Sequence, residues 1–589
     1  MFRDLLRLVP FIRKYKGRLI GGITLFFIAR LFEAAVPLCL MVGINRLERG
    51  EADLLLPVLG IVGAVAGRFV IVSWARIAVR RAGFLVQFDL RDAFYKHLQY
   101  MGPNFFRQYA IGDLMTRAVA DIQLIRRLVG NGTTMIVIFC FATIVGFSCM
   151  TLLSPTLTLF VLPPLPILFF YTWRSSLKLG LASRKVQEKL SSLGAQVQEN
   201  LSGIRTIQAM ALEDEEVRRF DDHNQAYTDA FYSHARIHSI MHSVMPTLAA
   251  ASAVAILGYG GHKVLQGTLS IGAFTAFFAY VTMVVQPFRV AGMIISMLQR
   301  AAVASRRLFA VFDYEPEIPD QGIPWVPETI RGSIFLNDLT FTYRGSNQPA
   351  IANINLTIQR GEMVAFMGRI GSGKTTLLKQ IVRLVDTPKD AVFIDDFDVC
   401  DYSLNQLRTQ IAYVPQDPFL FGEPLRTNIS YDQPRRKIDQ VWQAAEAANF
   451  AQSIDEMAFK METIVGERGV TLSGGQKQRA TLARGLIRHS PVLILDDCFS
   501  SVDTETEEQI LSHLAAVRSN KTTLLVSHRV STARHADRIV VLDDGQVEEV
   551  GTHDELLKHE GIYAEFERIQ REGSDEDRSL QSQIGLVSR

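Results

Sequence analysis

Val364-Ala365-Phe366-Met367-Gly368-Arg369-Ile370-Gly371-Ser372-Gly373-Lys374-Thr375-Thr376-Leu377-Leu378 is the stretch on which the reading of this chain turns. Its apolar start reads as a buried strand and its end as the opening of a helix, with glycines between. Gly368, Gly371 and Gly373 let backbone N–H groups converge with Ser372 on one point, and the helix N-terminus adds positive potential there. Such a loop suits phosphate oxygens. Lys374 is placed to reach the β and γ phosphates of a nucleotide and Thr375 to ligate Mg²⁺, with Thr376 in the same turn. The eight residues from Gly368 to Thr375 can arise by accident; between a strand and a helix they seldom do.

Working outward, Val492-Leu493-Ile494-Leu495-Asp496-Asp497 reads as a second strand, apolar from Val492 to Leu495 because both faces of a central parallel strand are covered. Asp496 at its end is expected to hold the magnesium through water, since a buried acid pair is costly unless a cation shares it. Leu472-Ser473-Gly474-Gly475-Gln476, just ahead of a helix, offers a second phosphate-binding terminus, yet one domain cannot use two on one nucleotide.

That last motif, between the glycine loop and the Asp-Asp strand, resembles the signature of ATP-binding cassette (ABC) transporters. In that family two cassettes pair head to tail, so Ser473, Gly474, Gly475 and Gln476 are implied to cap an ATP held by another chain's glycine loop. The resemblance covers almost the whole chain. It implies that Tyr343 stacks on adenine, that Gln416 in Tyr413-Val414-Pro415-Gln416 touches magnesium, that Ser500-Ser501-Val502-Asp503 joins the two sites, and that His528 senses the γ-phosphate. Phe105-Phe106 with Gly112-Asp113-Leu114, and Ser202 to Arg205 with Met210 to Glu213, resemble the loops that dock exporter membrane domains on cassettes.

One residue departs from the pattern. The family usually ends its second strand in Asp-Glu, so Asp497 puts a shorter carboxylate where the catalytic base stands. One methylene withdraws the carboxylate by about 1.5 Å, and a misplacement near 1 Å can cost on the order of a hundredfold in rate. ATP is therefore expected to bind well here and be cleaved slowly. The combination resembles the degenerate-site subunit of heterodimeric bacterial multidrug exporters, which implies a second half-transporter chain as partner. A homodimeric exporter with slow hydrolysis and a nucleotide-gated regulatory module are the rival readings. Arg369-Ile370 and Asp396 are smaller departures with no consequence drawn.

At 589 residues the chain exceeds one core. Stretches long enough to cross about 30 Å of hydrocarbon occur at 19–44, 54–74, 135–153, 157–173, 240–264 and 271–298, giving six expected spans. Lys and Arg favour the long segments 80–127 and 174–236, which places those, both termini and the ATPase on the cytoplasmic side of the plasma membrane, the inner membrane of a bacterium. The fold class expected is an all-α six-helix transmembrane domain at 1–315, a proline-rich linker at 316–329, an α/β P-loop ATPase domain at 330–570, and a polar tail at 571–589 that does not fold.

The basic N-terminal stretch 1–18 reads as an amphipathic helix on the membrane surface; a signal peptide is excluded by the length of the apolar run behind it. A net charge of +2 without a basic block gives nucleic acid no footprint. The five cysteines lack metal-like spacing and read as reduced packing residues. Arg30, Glu33 and Arg68 fall inside spans, where charge is expensive, and are expected to pair or face a cavity. Phe274, Phe277, Phe278 and Tyr280 read as packing or lipid contact. The cargo expected is a small amphipathic compound, of drug or lipid class.

Overall fold

Four helices among the described residues are long and apolar enough to cross a membrane: Lys16–Glu48, Leu55–Gln99, Ile111–Leu153 and Ile271–Phe312. The computed structural model describes residues 2–161, 163–320, 322, 326–466 and 472–572. The expected fourth and fifth spans fall largely on helices Pro164–Ser202 and Glu213–Ala255, in stretches that contain positions outside the described residues or side chains. The expected unfolded tail lies outside the described residues from 573 onward.

The chain divides into two compact units, Met1–Tyr100 with Tyr109–Glu315, and Met101–Gln108 with Pro316–Arg589. In the first, a helix of 45 residues, Leu55–Gln99, is about twice what a bilayer requires, so it carries on well past the hydrocarbon. Small residues let such helices approach: a Cβ on Gly22 would lie 2.5 Å from Val79 Cγ2, and one on Gly146 2.4 Å from Val284 Cγ2. Phe277 and Tyr280 are fully buried, and the Tyr280 hydroxyl donates to the Ala34 carbonyl at 2.6 Å, so both are packing residues, whereas Phe278 is exposed.

In the second unit, Pro103–Gln108 forms a short helix whose start is held by the Glu317 carboxylate, which accepts from Phe105 N at 2.8 Å and from Asn104 Nδ2 at 3.0 Å. Among the described residues ten strands follow: β1 Ile334–Phe341, β2 Ile351–Ile358, β3 Met363–Gly368, β4 Val392–Ile394, β5 Phe397–Asp398, β6 Ile411–Val414, β7 Val492–Asp496, β8 Thr522–Val526, β9 Arg538–Asp543 and β10 Gln546–Gly551. They make a four-stranded sheet in the order β2-β1-β4-β5 and a six-stranded sheet in the order β10-β9-β3-β8-β7-β6. The four-stranded sheet is antiparallel; in the six-stranded sheet the pairings from β9 through β6 are parallel and β10 runs antiparallel to β9. Every residue of β7 and β8 is buried, which matches the apolar runs 492–495 and 524–526 that make up most of each.

The sequence suggests two short strands where the structure has β1. Those runs are 333–336 and 340–343; between them Asp338 takes φ 45° inside a register shift, and the strand runs through it. Ahead of β1, the linker is tied down: buried Arg383 donates from Nη2 to the Pro319 carbonyl at 2.9 Å, and Asp320 Oδ1 accepts from Leu404 N at 2.8 Å. Residues 321 and 323–325 of that linker lie outside the described set.

Candidate nucleotide site

β3, β8, β7 and β6 are parallel neighbours, so their C-terminal ends lie side by side along one edge of the sheet. Those ends carry the glycine loop, Ser527-His528, Asp496-Asp497 and Gln416 respectively. This is the edge at which open α/β sheets bind ligands. Residues that the sequence separates by more than a hundred positions become one cluster here.

The loop needs its glycines for room as well as for conformation. Gly373 caps helix Lys374–Ile381 at φ 94°, and a Cβ there would lie 2.6 Å from the Ala350 carbonyl oxygen; one on Gly368 would lie 2.0 Å from Leu542 O. Gly371 takes φ 87°. Lys374 folds back into the loop, its Nζ donating to Gly368 O and Arg369 O at 2.8 Å and to Ser372 Oγ at 3.2 Å. Burial lowers its pKa, against the opposing pull of Asp497 and Asp496. The ammonium is thus poorly solvated and held by neutral acceptors that phosphate oxygens could replace.

Asp496 is buried, with each carboxylate oxygen accepting from a hydroxyl: Thr375 Oγ1 to Oδ1 at 2.8 Å, Tyr413 Oη to Oδ2 at 2.7 Å. Burial and Asp496 together hold the Tyr413 phenol well above its usual pKa, so it stays a donor. A hydroxyl and a carboxylate in contact form an all-oxygen set that fits Mg²⁺, which completes its shell with water and nucleotide phosphate. Gln416 Nε2 donates to Asp497 Oδ2 at 3.1 Å. Asp497 takes φ 47°, a region aspartate tolerates better than most residues. Burial raises its pKa, while His528 and the Gln416 bond pull it back. His528 has its own pKa lowered, first by burial and then by Lys374.

Tyr343 Oη lies 3.1 Å from Thr376 Oγ1, and its ring meets Phe341 edge-on with centroids 5.0 Å apart. Ser473, Gly474, Gly475 and Gln476 open helix Gly474–Leu486. There Ser473 Oγ accepts from Gln476 N at 3.3 Å and Gln476 Oε1 from Ser473 N at 3.0 Å, a closed capping box. None of these bonds reaches the glycine loop of the same chain.

The family models agree with this geometry: "ABC transporter transmembrane region" matches residues 19–288, and "ABC transporter" matches 351–500. A probable multidrug resistance ABC transporter ATP-binding/permease protein of Bacillus subtilis, YheI, is 32% identical over 97% of this chain and 98% of its own. The chain belongs to the ABC transporters. An ATP-dependent lipid A-core flippase of Syntrophus aciditrophicus is also 32% identical, over 82% of this chain and 80% of its own. A bacterial Atm1-family ABC exporter with ATP bound shares the fold, with a TM-score of 0.77 and 24% identity over 94% of this chain and 99% of that one. As an ABC exporter half-transporter, the chain pairs a helical membrane domain with a cassette of the kind that binds ATP, normally with Mg²⁺, and couples hydrolysis to transport. Exporters of this family work in membranes as dimers.

The transporter's cassette also holds residues that motif reading passes over. Gln478 Nε2 donates to Ser500 Oγ at 2.8 Å and its Oε1 accepts from Ser501 N at 2.8 Å, tying the signature helix to the loop before Asp503. Arg529 donates to Val502 O at 3.0 Å and pairs with buried Glu507. Gln570 donates to the His528 carbonyl at 2.6 Å and accepts from Val530 N at 2.9 Å. The signal for the first two was adjacency: Gln478 lies two residues beyond the signature, and Arg529 follows His528.

Proposed function

We propose that the chain is one subunit of a heterodimeric exporter that moves amphipathic compounds, of drug or lipid class, outward across the plasma membrane, with six spans and both termini in the cytoplasm. Two relatives support that class, one a probable multidrug resistance transporter by its description and the other a lipid A-core flippase. In this reading Tyr343, Gly368, Gly371, Ser372, Gly373, Lys374, Thr375 and Thr376 hold ATP, and Thr375, Gln416 and Asp496 hold Mg²⁺. Ser473, Gly474, Gly475 and Gln476 complete a productive site whose glycine loop and glutamate come from the partner chain.

The observation that carries the asymmetry is Asp497. Its short carboxylate is engaged by Gln416 and half-buried, so the group available to accept a proton from the attacking water is both withdrawn and partly occupied. Binding through Lys374 and Thr375 is left intact. Intact His528 and an intact signature favour a second reading, in which two copies of this chain form a slow homodimer. One experiment separates the two. The heterodimer reading expects the purified chain alone to bind ATP and release phosphate slowly, and expects replacement of the partner's catalytic glutamate to abolish transport while Asp497→Ala leaves much of it. Brisk ATPase activity and transport by the chain alone would favour the homodimer; vesicles that hold the chain together with its partner and still move no compound would favour a nucleotide-gated module.

A further inference from the structure

β7 and β8 have a second end. The nucleotide cluster lies at and beyond their last residues, whereas His489, Arg518 and Lys521 stand just ahead of their first, Val492 and Thr522, a strand length of roughly 15 Å away. There helix Ile438–Ala447 and the ends of helices Gly474–Leu486 and Thr504–Val517 line a cavity of about 280 Å³. That volume falls at the small end of the range that ligand sites occupy. Part of the lining is apolar, through buried Ala444 and Leu514, and part is basic, through Arg518, Lys521, His489 and His513. Glu446, which is exposed, is the only acid among the described residues of the lining.

The basic part is short of negative charge. Arg518 is 7% exposed, and its guanidinium donates to neutral oxygens alone: Thr523 Oγ1 and Ser490 O at 3.1 Å, Thr522 O at 3.0 Å and Pro491 O at 3.4 Å. Burial lowers its pKa to about 10, so it is still a cation at neutral pH. Lys521 Nζ donates to the His489 carbonyl at 3.0 Å, and neither cation has a carboxylate partner among the described residues. Burial and then Arg518 lower the pKa of Lys521, and burial and then Lys521 lower that of His489, so positive potential prevails there. A buried cation without a counter-ion is costly. Of the three N–H groups of Lys521 one has a partner among the described residues, and of the five of Arg518 four do, so donors are left over.

We propose that this cavity is a second ligand site of the cassette, taking a small carboxylate with an apolar body, the carboxylate against Lys521 and Arg518 and the body against Ala444 and Leu514. Two cations less one acid leave a single positive charge when both histidines are neutral, which a monoanion balances and a phosphate dianion overshoots. The apolar lining gives inorganic phosphate nothing to bury, whereas it gains from an aryl or alkyl group. The site is independent of the asymmetric reading of the ATP sites, since none of its residues belongs to the nucleotide cluster.

The test uses the full chain in phosphatidylcholine nanodiscs with Mg²⁺ and a saturating non-hydrolysable ATP analogue, which keeps the glycine loop occupied. Binding is read by saturation-transfer NMR against empty nanodiscs, for benzoate and for benzamide as its neutral isostere, and inorganic phosphate is read by its displacement of benzoate. Benzoate is expected to bind about tenfold more tightly than benzamide, because its hydrogen bonds to the two cations are charge-assisted on both sides, and phosphate is expected to displace it only weakly. Lys521→Gln should bring benzoate down to the affinity of benzamide, Lys521→Arg should keep part of the preference, and Glu446→Gln, at an exposed position, should strengthen benzoate binding several-fold. Equal wild-type affinity for benzoate and benzamide overturns the proposal even if no variant folds. A Lys521→Gln protein that binds benzoate as wild type does also overturns it, and so does phosphate that binds as tightly as benzoate.

Discussion

At the scale of one residue, the proposed asymmetry turns on Asp497. Asp497→Glu restores the missing methylene, and phosphate release by the isolated chain is expected to rise by about ten- to a hundredfold; no gain would remove the basis for an asymmetric pair. The same change places a longer side chain at φ 47°, so a loss of up to about 1 kcal/mol in cassette stability should accompany the gain, read as a lower melting temperature. Cys400 gives a second test. Burial, helped by Asp398, pushes its thiol up to about 11, so the thiol stays protonated at neutral pH. Iodoacetamide, which needs the thiolate, should label Cys400 slowly in the folded chain at pH 8 and at an ordinary rate after denaturation. Equal rates would show that the thiol is not held as the structure has it.

Between elements, the signature helix and the loop ahead of helix Thr504–Val517 are fastened by a single side chain. Gln478 bonds both Ser500 and Ser501, and a Cβ on Gly475 would lie 2.8 Å from Ser501 O, so the backbones of Gly475 and Ser501 approach closely beside that tie. Gln478→Leu leaves the Ser501 N–H and the Ser500 hydroxyl without these partners, a loss on the order of 1–3 kcal/mol. The expected result is a lower melting temperature together with slower ATP turnover by the assembled dimer, while ATP binding to the isolated chain stays within about twofold; unchanged turnover would show that this tie has no part in the cycle. The elements themselves are legible in the chain, because β7 is apolar from Val492 to Leu495 and the glycine loop stands between a strand and a helix. The ties between them are not. Gln478 carries no pattern of its own, and a hydrogen bond across 22 residues leaves no periodic trace. β1 reads in the sequence as two runs, 333–336 and 340–343, while pairing to β2 on both sides of Asn337-Asp338 carries the strand through.

For the whole molecule, two compact units predict two melting events. MgATP should raise only the transition of the unit that carries the glycine loop, by linkage, and Lys374→Ala should abolish that shift while leaving the other transition where it was. A shift of both transitions together would mean the units melt as one. The sequence alone determined that the chain has a membrane part and a cassette part, where its glycine-rich loop and signature stand, and that residue 497 is one carbon shorter than glutamate, because these are local properties: apolar length, glycine spacing and strand-end identity lie within runs of a few residues. Tertiary structure decided what distant residues do to one another. Tyr413 donating to Asp496, Gln416 held against Asp497, Gln570 clamping His528 and Arg68 joining the Arg30–Glu33 pair all depend on which strands and helices become neighbours. That choice is made by the packing of buried faces, whose partners lie tens to hundreds of residues away, and no short stretch of the chain contains it.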